Sequence, residues 1–140
     1  MTINLNIGAN LGDRHANLAR AVAMLIDAFA PRRWLASDIY ESKPWGYDSA
    51  NAFLNQGLRL DSDSDMQPAE ILALTRKVEQ SICADPHRHA DGSYRDRVID
   101  IDIITIDHIV MQSPELTLPH PQMLNRPFVL IPYNQINKAE

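Results

Sequence analysis

Arg97-Val98-Ile99-Asp100-Ile101-Asp102-Ile103-Ile104-Thr105-Ile106 is the stretch that decides the fold class. It is dense in β-branched residues, which favour strands. The spacing predicts a strand over Val98 to Ile106. Residues two apart in a strand share a face. Ile99, Ile101 and Ile103 therefore fill a core on one side. Asp100 and Asp102 project together from the other, roughly 6.6 Å apart along the strand. Two adjacent carboxylates repel unless something positive lies beside them. Magnesium suits the place, because it takes oxygen ligands and usually one or two carboxylates plus phosphate oxygens. A solvated face of an amphipathic strand gives the same alternation with no ligand, so the pair needs support from elsewhere in the chain.

Outward from this strand, the apolar periodicity gives the remaining elements. Ile3, Leu5 and Ile7 alternate with Asn4 and Asn6 as a half-buried strand, broken by Gly8-Ala9-Asn10-Leu11-Gly12. Asp13 is a helix N-cap, and Leu18, Val22, Leu25, Ile26 and Phe29 form a helical stripe that Pro31 stops. Trp34 to Tyr40 reads as a second strand. Phe53 to Leu60 reads as a third, with Leu54, Leu58 and Leu60 on one side and Phe53 and Asn55 on the other. Pro68 opens a second helix, whose stripe is Ile71, Leu74, Thr75, Val78 and Ile82. A short helical stretch is expected near Pro127 to Ile136. The order β-α-β-β-α-β predicts an α+β, ferredoxin-like domain: a four-stranded antiparallel sheet, helices packed on one face, and extra C-terminal elements.

The 140 residues fit a single domain, 1–140, large enough for a core without staples. Hydrophobic residues make up 45% and charged residues 22%, which argues against disorder and coiled coil. No apolar run approaches the roughly 20 residues of a membrane helix. Met1-Thr2-Ile3-Asn4 lacks the basic flank and apolar block of a signal peptide, so a soluble cytoplasmic protein is expected, with no membrane partner. A single cysteine, Cys83, leaves no internal disulfide framework. Net charge −5 makes nucleic acid a poor partner. A phosphate ligand would then need local arginines or bound metal ions.

Three further segments carry chemistry-bearing residues. The long loop from Cys83 to Asp96 holds His87, Arg88, His89 and Arg95 and runs into Arg97, as a lid or binding loop would. His120 and Arg126, six residues apart in a proline-punctuated loop, could both address an anion. Trp45, Tyr47, Phe53 and Asn55 put aromatics beside a side-chain amide, a combination that can stack on a heterocycle and read its edge. There is no Gly-x-x-x-x-Gly-Lys-Ser/Thr loop and no Gly-x-Gly-x-x-Gly, so a nucleotide must be held in another way.

Taken in order, these segments resemble the 6-hydroxymethyl-7,8-dihydropterin pyrophosphokinase family of folate synthesis. Ile7-Gly8-Ala9-Asn10-Leu11-Gly12-Asp13 is similar to its N-terminal Gly-Ser-Asn-Leu-Gly motif. Tyr40 to Gly46 and Phe53-Leu54-Asn55 resemble its pterin loop and strand, Asp96 to Ile103 its Arg-x-x-Asp-x-Asp signature, and Leu118 to Phe128 its Pro-His-x-x-Met-x-x-Arg-x-Phe segment. The resemblance implies an ATP-dependent diphosphotransferase that gives AMP and the pterin diphosphate. It implies that Asp100 and Asp102 hold two Mg2+ ions, and that Arg97, His120 and Arg126 contact phosphates. Arg88 is the candidate for covering them. Glu79, Ile103, Leu116 and Thr117 would take the adenosine. Asn55 would read the pterin edge between Phe53 and Phe128, with Ser42, Pro44, Trp45 and Tyr94 completing the pocket. A monomer is expected. Ala9 for Ser, Ala84-Asp85 for Gly-Arg, and Arg95-Asp96 for Gly-Pro depart from the family pattern. Two other readings compete: a non-catalytic ferredoxin-like module that binds a small regulatory ligand, and a nucleotidyl transferase or cyclase using the same carboxylates.

Overall fold

The structure is a computed structural model that describes residues 1–43, 52–83 and 98–138. Pro44, Trp45, Tyr47, His87, Arg88, His89, Tyr94, Arg95 and Arg97 lie outside these ranges, as do Ala84-Asp85 and Asp96. The elements run β1 (Thr2–Ala9), α1 (Arg14–Phe29), β2 (Arg33–Ala36), β3 (Tyr40–Ser42), β4 (Phe53–Asp61), α2 (Pro68–Ile82), β5 (Asp100–Ile106), β6 (Met111–Gln112), β7 (Thr117–Leu118), a 3-10 turn (Met123–Asn125) and α3 (Pro127–Ile136).

The main sheet has the order β2-β4-β1-β5, with β3 also on β4, and every pairing is antiparallel. This is the ferredoxin-like arrangement the alternation predicts. Ile3, Leu5 and Ile7 of β1, Leu54, Leu58 and Leu60 of β4, and Ile101 and Ile103 of β5 are buried in one cluster with Leu18, Leu25 and Phe29 of α1 and Ile71 and Val78 of α2. Burial of these side chains is the main stabilising term, at roughly 1.5–3 kcal/mol for each large one. Asp13 caps α1, its carboxylate accepting the Ala16 N–H at 3.1 Å. The helix ends at Phe29, where Ala30 turns left-handed with φ 44°, so the stop comes one residue before Pro31. Pro68 opens α2 as expected, and the Glu70 carboxylate accepts the Gln67 N–H.

Two differences have local causes. The predicted strand over Trp34 to Tyr40 is two strands. Ser37 donates its N–H to the Gly57 carbonyl and accepts the Gly57 N–H on its hydroxyl, at 2.9 and 2.8 Å. The register then moves by one residue, from Ala36 opposite Leu58 to Tyr40 opposite Asn55. The second difference is a bulge in β5. Leu5 faces Ile103 but Asn4 faces Thr105, which leaves Ile104 as the extra residue.

Helix α3 packs on the sheet face opposite α1 and α2. Asn137, just past its end, donates to the Asn4 side-chain oxygen at 2.7 Å. Pro132 and Ile136 close over Gly57 of β4. A Cβ added at Gly57 would lie 3.2 Å from side-chain atoms of both and 3.3 Å from the Pro132 backbone. Gly57→Ala is therefore expected to destabilise the protein by about 1–3 kcal/mol through overpacking. Thermal unfolding of the variant checks this, and an unchanged Tm would contradict the tight approach.

Candidate active site

The polar face of the sheet is built around β1. Gly8 is opposite Asn55 on β4 and Asp100 on β5. Asn6, the next residue on the same face, is opposite Gly57 and Asp102. Adjacent strands lie about 4.8 Å apart, so Asn55 and Asp100 stand about 10 Å from each other across a residue with no side chain. The alternation predicted for Phe53 and Asn55, and for Asp100 and Asp102, brings all four to this one face.

Asn55 is only 2% exposed. Its amide nitrogen donates to the Tyr40 carbonyl at 3.2 Å and to the Ser42 hydroxyl at 2.8 Å. The Tyr40 carbonyl can only accept, which fixes the amide orientation. The donors are thus committed to the β3 strand, and the side-chain oxygen turns toward Gly8. A Cβ on Gly8 would sit 3.4 Å from that oxygen and 3.4 Å from the Phe53 ring. Glycine here keeps the floor between the amide and the aspartates open. Asn6 lies on that floor, and its buried side-chain oxygen has no hydrogen-bond partner among the described residues.

A cavity of about 340 Å³ runs along the outer edge of β5. Glu79, Asp100, Asp102, Ile103, Leu116, Thr117 and His120 all line it, so seven of the predicted residues share one cavity. Leu72, Arg76, Ser113 and Glu115 line it as well, and sequence reasoning did not select them. Arg76 was within reach of it: residues three apart share a helix face, and Glu79 was already singled out. Among the described residues, no group of three or more His, Cys, Asp or Glu is arranged to hold a metal by itself.

Glu79 closes the edge of β5. Its carboxylate accepts the outward-facing Ile101 N–H at 2.8 Å. Burial, reinforced by the negative charges of Asp100 and Asp102, pushes its pKa up to about 8. His120 is set by two backbone bonds. Its N–H donates to the carbonyl of the bulged Ile104 at 2.8 Å, and its ring Nδ1 accepts the Gln122 N–H at 3.1 Å. The ring proton of the neutral form therefore sits on Nε2. Burial, and then the Arg126 guanidinium nearby, lowers the imidazole pKa below its usual range, so the ring is neutral at pH 7. Arg126 also lies 5.9 Å over the Phe128 ring, at the entry to α3.

Comparison with known proteins gives the family. The family model described as 7,8-dihydro-6-hydroxymethylpterin-pyrophosphokinase (HPPK) matches residues 4–138. The chain is 41% identical over 137 residues to a 2-amino-4-hydroxy-6-hydroxymethyldihydropteridine pyrophosphokinase of Porphyromonas gingivalis, covering 96% of this chain and 89% of that one. It is 33% identical over 130 residues to the enzyme of the same name from Bacillus subtilis, covering 93% and 74%. The fold is similar to a crystal structure of an HPPK-DHPS in complex with substrates, with a TM-score of 0.68 at 13% identity; the match covers 96% of this chain but 40% of that longer one. The match to the family model over nearly the whole length, together with these two relatives, shows that this chain belongs to the 7,8-dihydro-6-hydroxymethylpterin-pyrophosphokinase family.

Proposed function

We propose that this chain moves the β- and γ-phosphates of ATP, as one diphosphate, onto the hydroxymethyl oxygen of 6-hydroxymethyl-7,8-dihydropterin, a step of folate biosynthesis. The observation that carries the site assignment is the shared partner of Asn55 and Asp100. Both face Gly8, so an amide-lined subsite and an acidic cleft open onto one floor. In the reaction the hydroxymethyl oxygen bonds to the β-phosphorus. The bond from that phosphorus to the α,β-bridging oxygen breaks, and AMP leaves. Such chemistry depends on in-line positioning and on neutralising oxygen charge more than on covalent help.

The residues fit magnesium. Two carboxylates stand side by side in a cleft where burial, reinforced by their charges, holds Glu79 protonated well above its ordinary range. Oxygen donors of this kind suit a hard dication that takes its other ligands from phosphate and water. Asp100 and Asp102 would hold two such ions, which, when bound, supply the positive charge that draws electron density from the transferring phosphorus. His120 has its own part. With Nδ1 occupied by the Gln122 N–H, it presents Nε2–H as a neutral donor to a phosphate oxygen. Arg126 brings a permanent charge to the same end and packs on Phe128. Arg97 and Arg88 would add to this charge from the loop ahead of β5.

In the same cavity, Thr117 on β7, Leu116 just before it, Ile103 on β5, and Leu72 and Arg76 of α2 would form a slot for the adenosine. On the pterin side, the Asn55 oxygen is left to accept from ring N–H groups. Phe53 and Phe128 supply the stacking faces, and Ser42 holds the amide. Pro44, Trp45 and Tyr94 would complete this pocket. No helix among the described residues is long and apolar enough to cross a membrane. A cytoplasmic monomer acting on two small-molecule substrates is the assembly we infer.

Incubation of the chain with ATP, Mg2+ and the hydroxymethyl-dihydropterin is expected to give AMP and pterin diphosphate in equal amounts. Tight binding of both ligands with no AMP would identify a regulatory module instead. Release of diphosphate would identify a nucleotidyl transferase. Asp100→Ala and Asp102→Ala should each lower turnover on the order of 10³-fold or more while the fold persists; near-normal turnover in either refutes the metal role. A further prediction concerns pH. Between the ordinary carboxyl pKa and about 8, the folded protein holds a proton on Glu79 that the unfolded chain releases. The stability from this group is complete below the ordinary value and is lost as pH rises through 8. The metal-free protein should therefore lose Tm from pH 6 to 9. Glu79→Gln, which keeps an acceptor for Ile101, should flatten that slope, and an unaltered slope would count against the burial of this charge.

A further inference from the structure

We propose that Arg14, on the face of the sheet away from the pterin subsite, is a positioning residue for that subsite; the inference rests on the function just given. Arg14 begins α1, and its place is set by the cap beneath it. Asp13 accepts the Ala16 N–H, and Asn17 donates its side-chain amide to the Leu11 carbonyl at 3.2 Å. From this fixed turn the Arg14 guanidinium donates to the Ala52 carbonyl at 3.0 Å, immediately before β4. The same nitrogen lies 3.8 Å from the Glu41 carboxylate of β3. One side chain thus ties the end of β3 to the start of β4.

Those two strand ends carry the amide subsite. Glu41 is opposite Leu54, whose side chain belongs to the core on the helical side. Tyr40 and Ser42 are opposite Asn55 and Phe53, on the other face. Arg14 touches none of these. It acts through the backbone, holding Ala52 and Glu41 so that Ser42 and the Tyr40 carbonyl stay within reach of the Asn55 nitrogen. The β3 strand is three residues long, so the pair has little ladder of its own to hold its register. The bond to Ala52 is the main part of the clamp, being charge-assisted and at good length. The Glu41 contact is long and solvent-exposed and contributes little.

The test uses the full chain and separates the two subsites. Arg14→Ala should weaken binding of 6-hydroxymethylpterin, read by fluorescence quenching, by roughly tenfold, the effect of losing one charge-assisted hydrogen bond. Binding of α,β-methylene ATP, whose site lies on β5, should stay within about twofold of the unaltered chain. Arg14→Lys, which keeps one charged donor, should recover much of the loss, and Glu41→Gln should lose little. A folded Arg14→Ala protein whose pterin affinity is unchanged overturns the proposal, and so does an equal loss of both ligands. Amide hydrogen exchange gives a reading that needs no ligand. Arg14→Ala should speed exchange at residues 40–42 and 53–55 and leave 100–106 alone, and unchanged protection at 40–42 would also overturn the clamp. If the unaltered chain binds no pterin, the function reading falls, while the exchange data still decide the clamp.

Discussion

Strand β1 is hydrogen-bonded along both edges, to β4 on one side and β5 on the other. Its register controls everything the site can do. A slip of one residue against either neighbour would turn a full set of side chains to the other face. Asn55 or the two aspartates would then enter the apolar core, and leucines or isoleucines would line the cleft. The buried cluster under α1 and α2 resists such a slip, because Leu54, Leu58 and Leu60 of β4, or Ile101 and Ile103 of β5, would have to leave it. Apolar packing on one face thus holds the polar geometry on the other.

The acidic cleft carries a cost that the fold accepts. Glu79 is buried next to two carboxylates, and its protonation relieves part of the repulsion. It also satisfies a backbone N–H on an edge strand, which would otherwise face the cavity unpaired. The cleft combines this acidity with the neutral His120, which Arg126 influences, and with the cationic Arg76. A polyanionic nucleotide enters a chain of net charge −5 against the overall field, so neutralisation within the cleft decides whether it can stay.

Much of this was legible from the sequence wherever alternation or a helical stripe was strong. The Ile-Asp alternation assigned both aspartates to one face, the Phe53–Asn55 pair to the same kind of face, and Pro127 to Ile136 to a helix with the bounds observed. The less legible features all depend on a single hydrogen bond or an extra residue. Ser37 replaces a ladder partner and splits one strand into two. The surplus Ile104 swings a carbonyl outward to hold His120. Neither leaves a periodic mark. Arg76 was missed because a helical arginine usually marks a solvated face, and only its spacing of three from Glu79 points to the cavity wall. The Asn55 donors could not be assigned, since a sequence does not say which half of an amide the protein itself consumes.

That last point sets what the subsite can accept. An amide with both hydrogens spent is chemically a lone carbonyl, anchored in rigid surroundings and unable to swivel. On the function proposed, a bicyclic ring that offers N–H groups along its edge would complete it. An analogue carrying oxygen in place of the exocyclic amine would set lone pair against lone pair, with no rotation to relieve the clash. Discrimination of this kind comes from refusal as much as from attraction, and an oxygen that cannot turn away can exclude a near-isosteric ring more sharply than a missing methyl would.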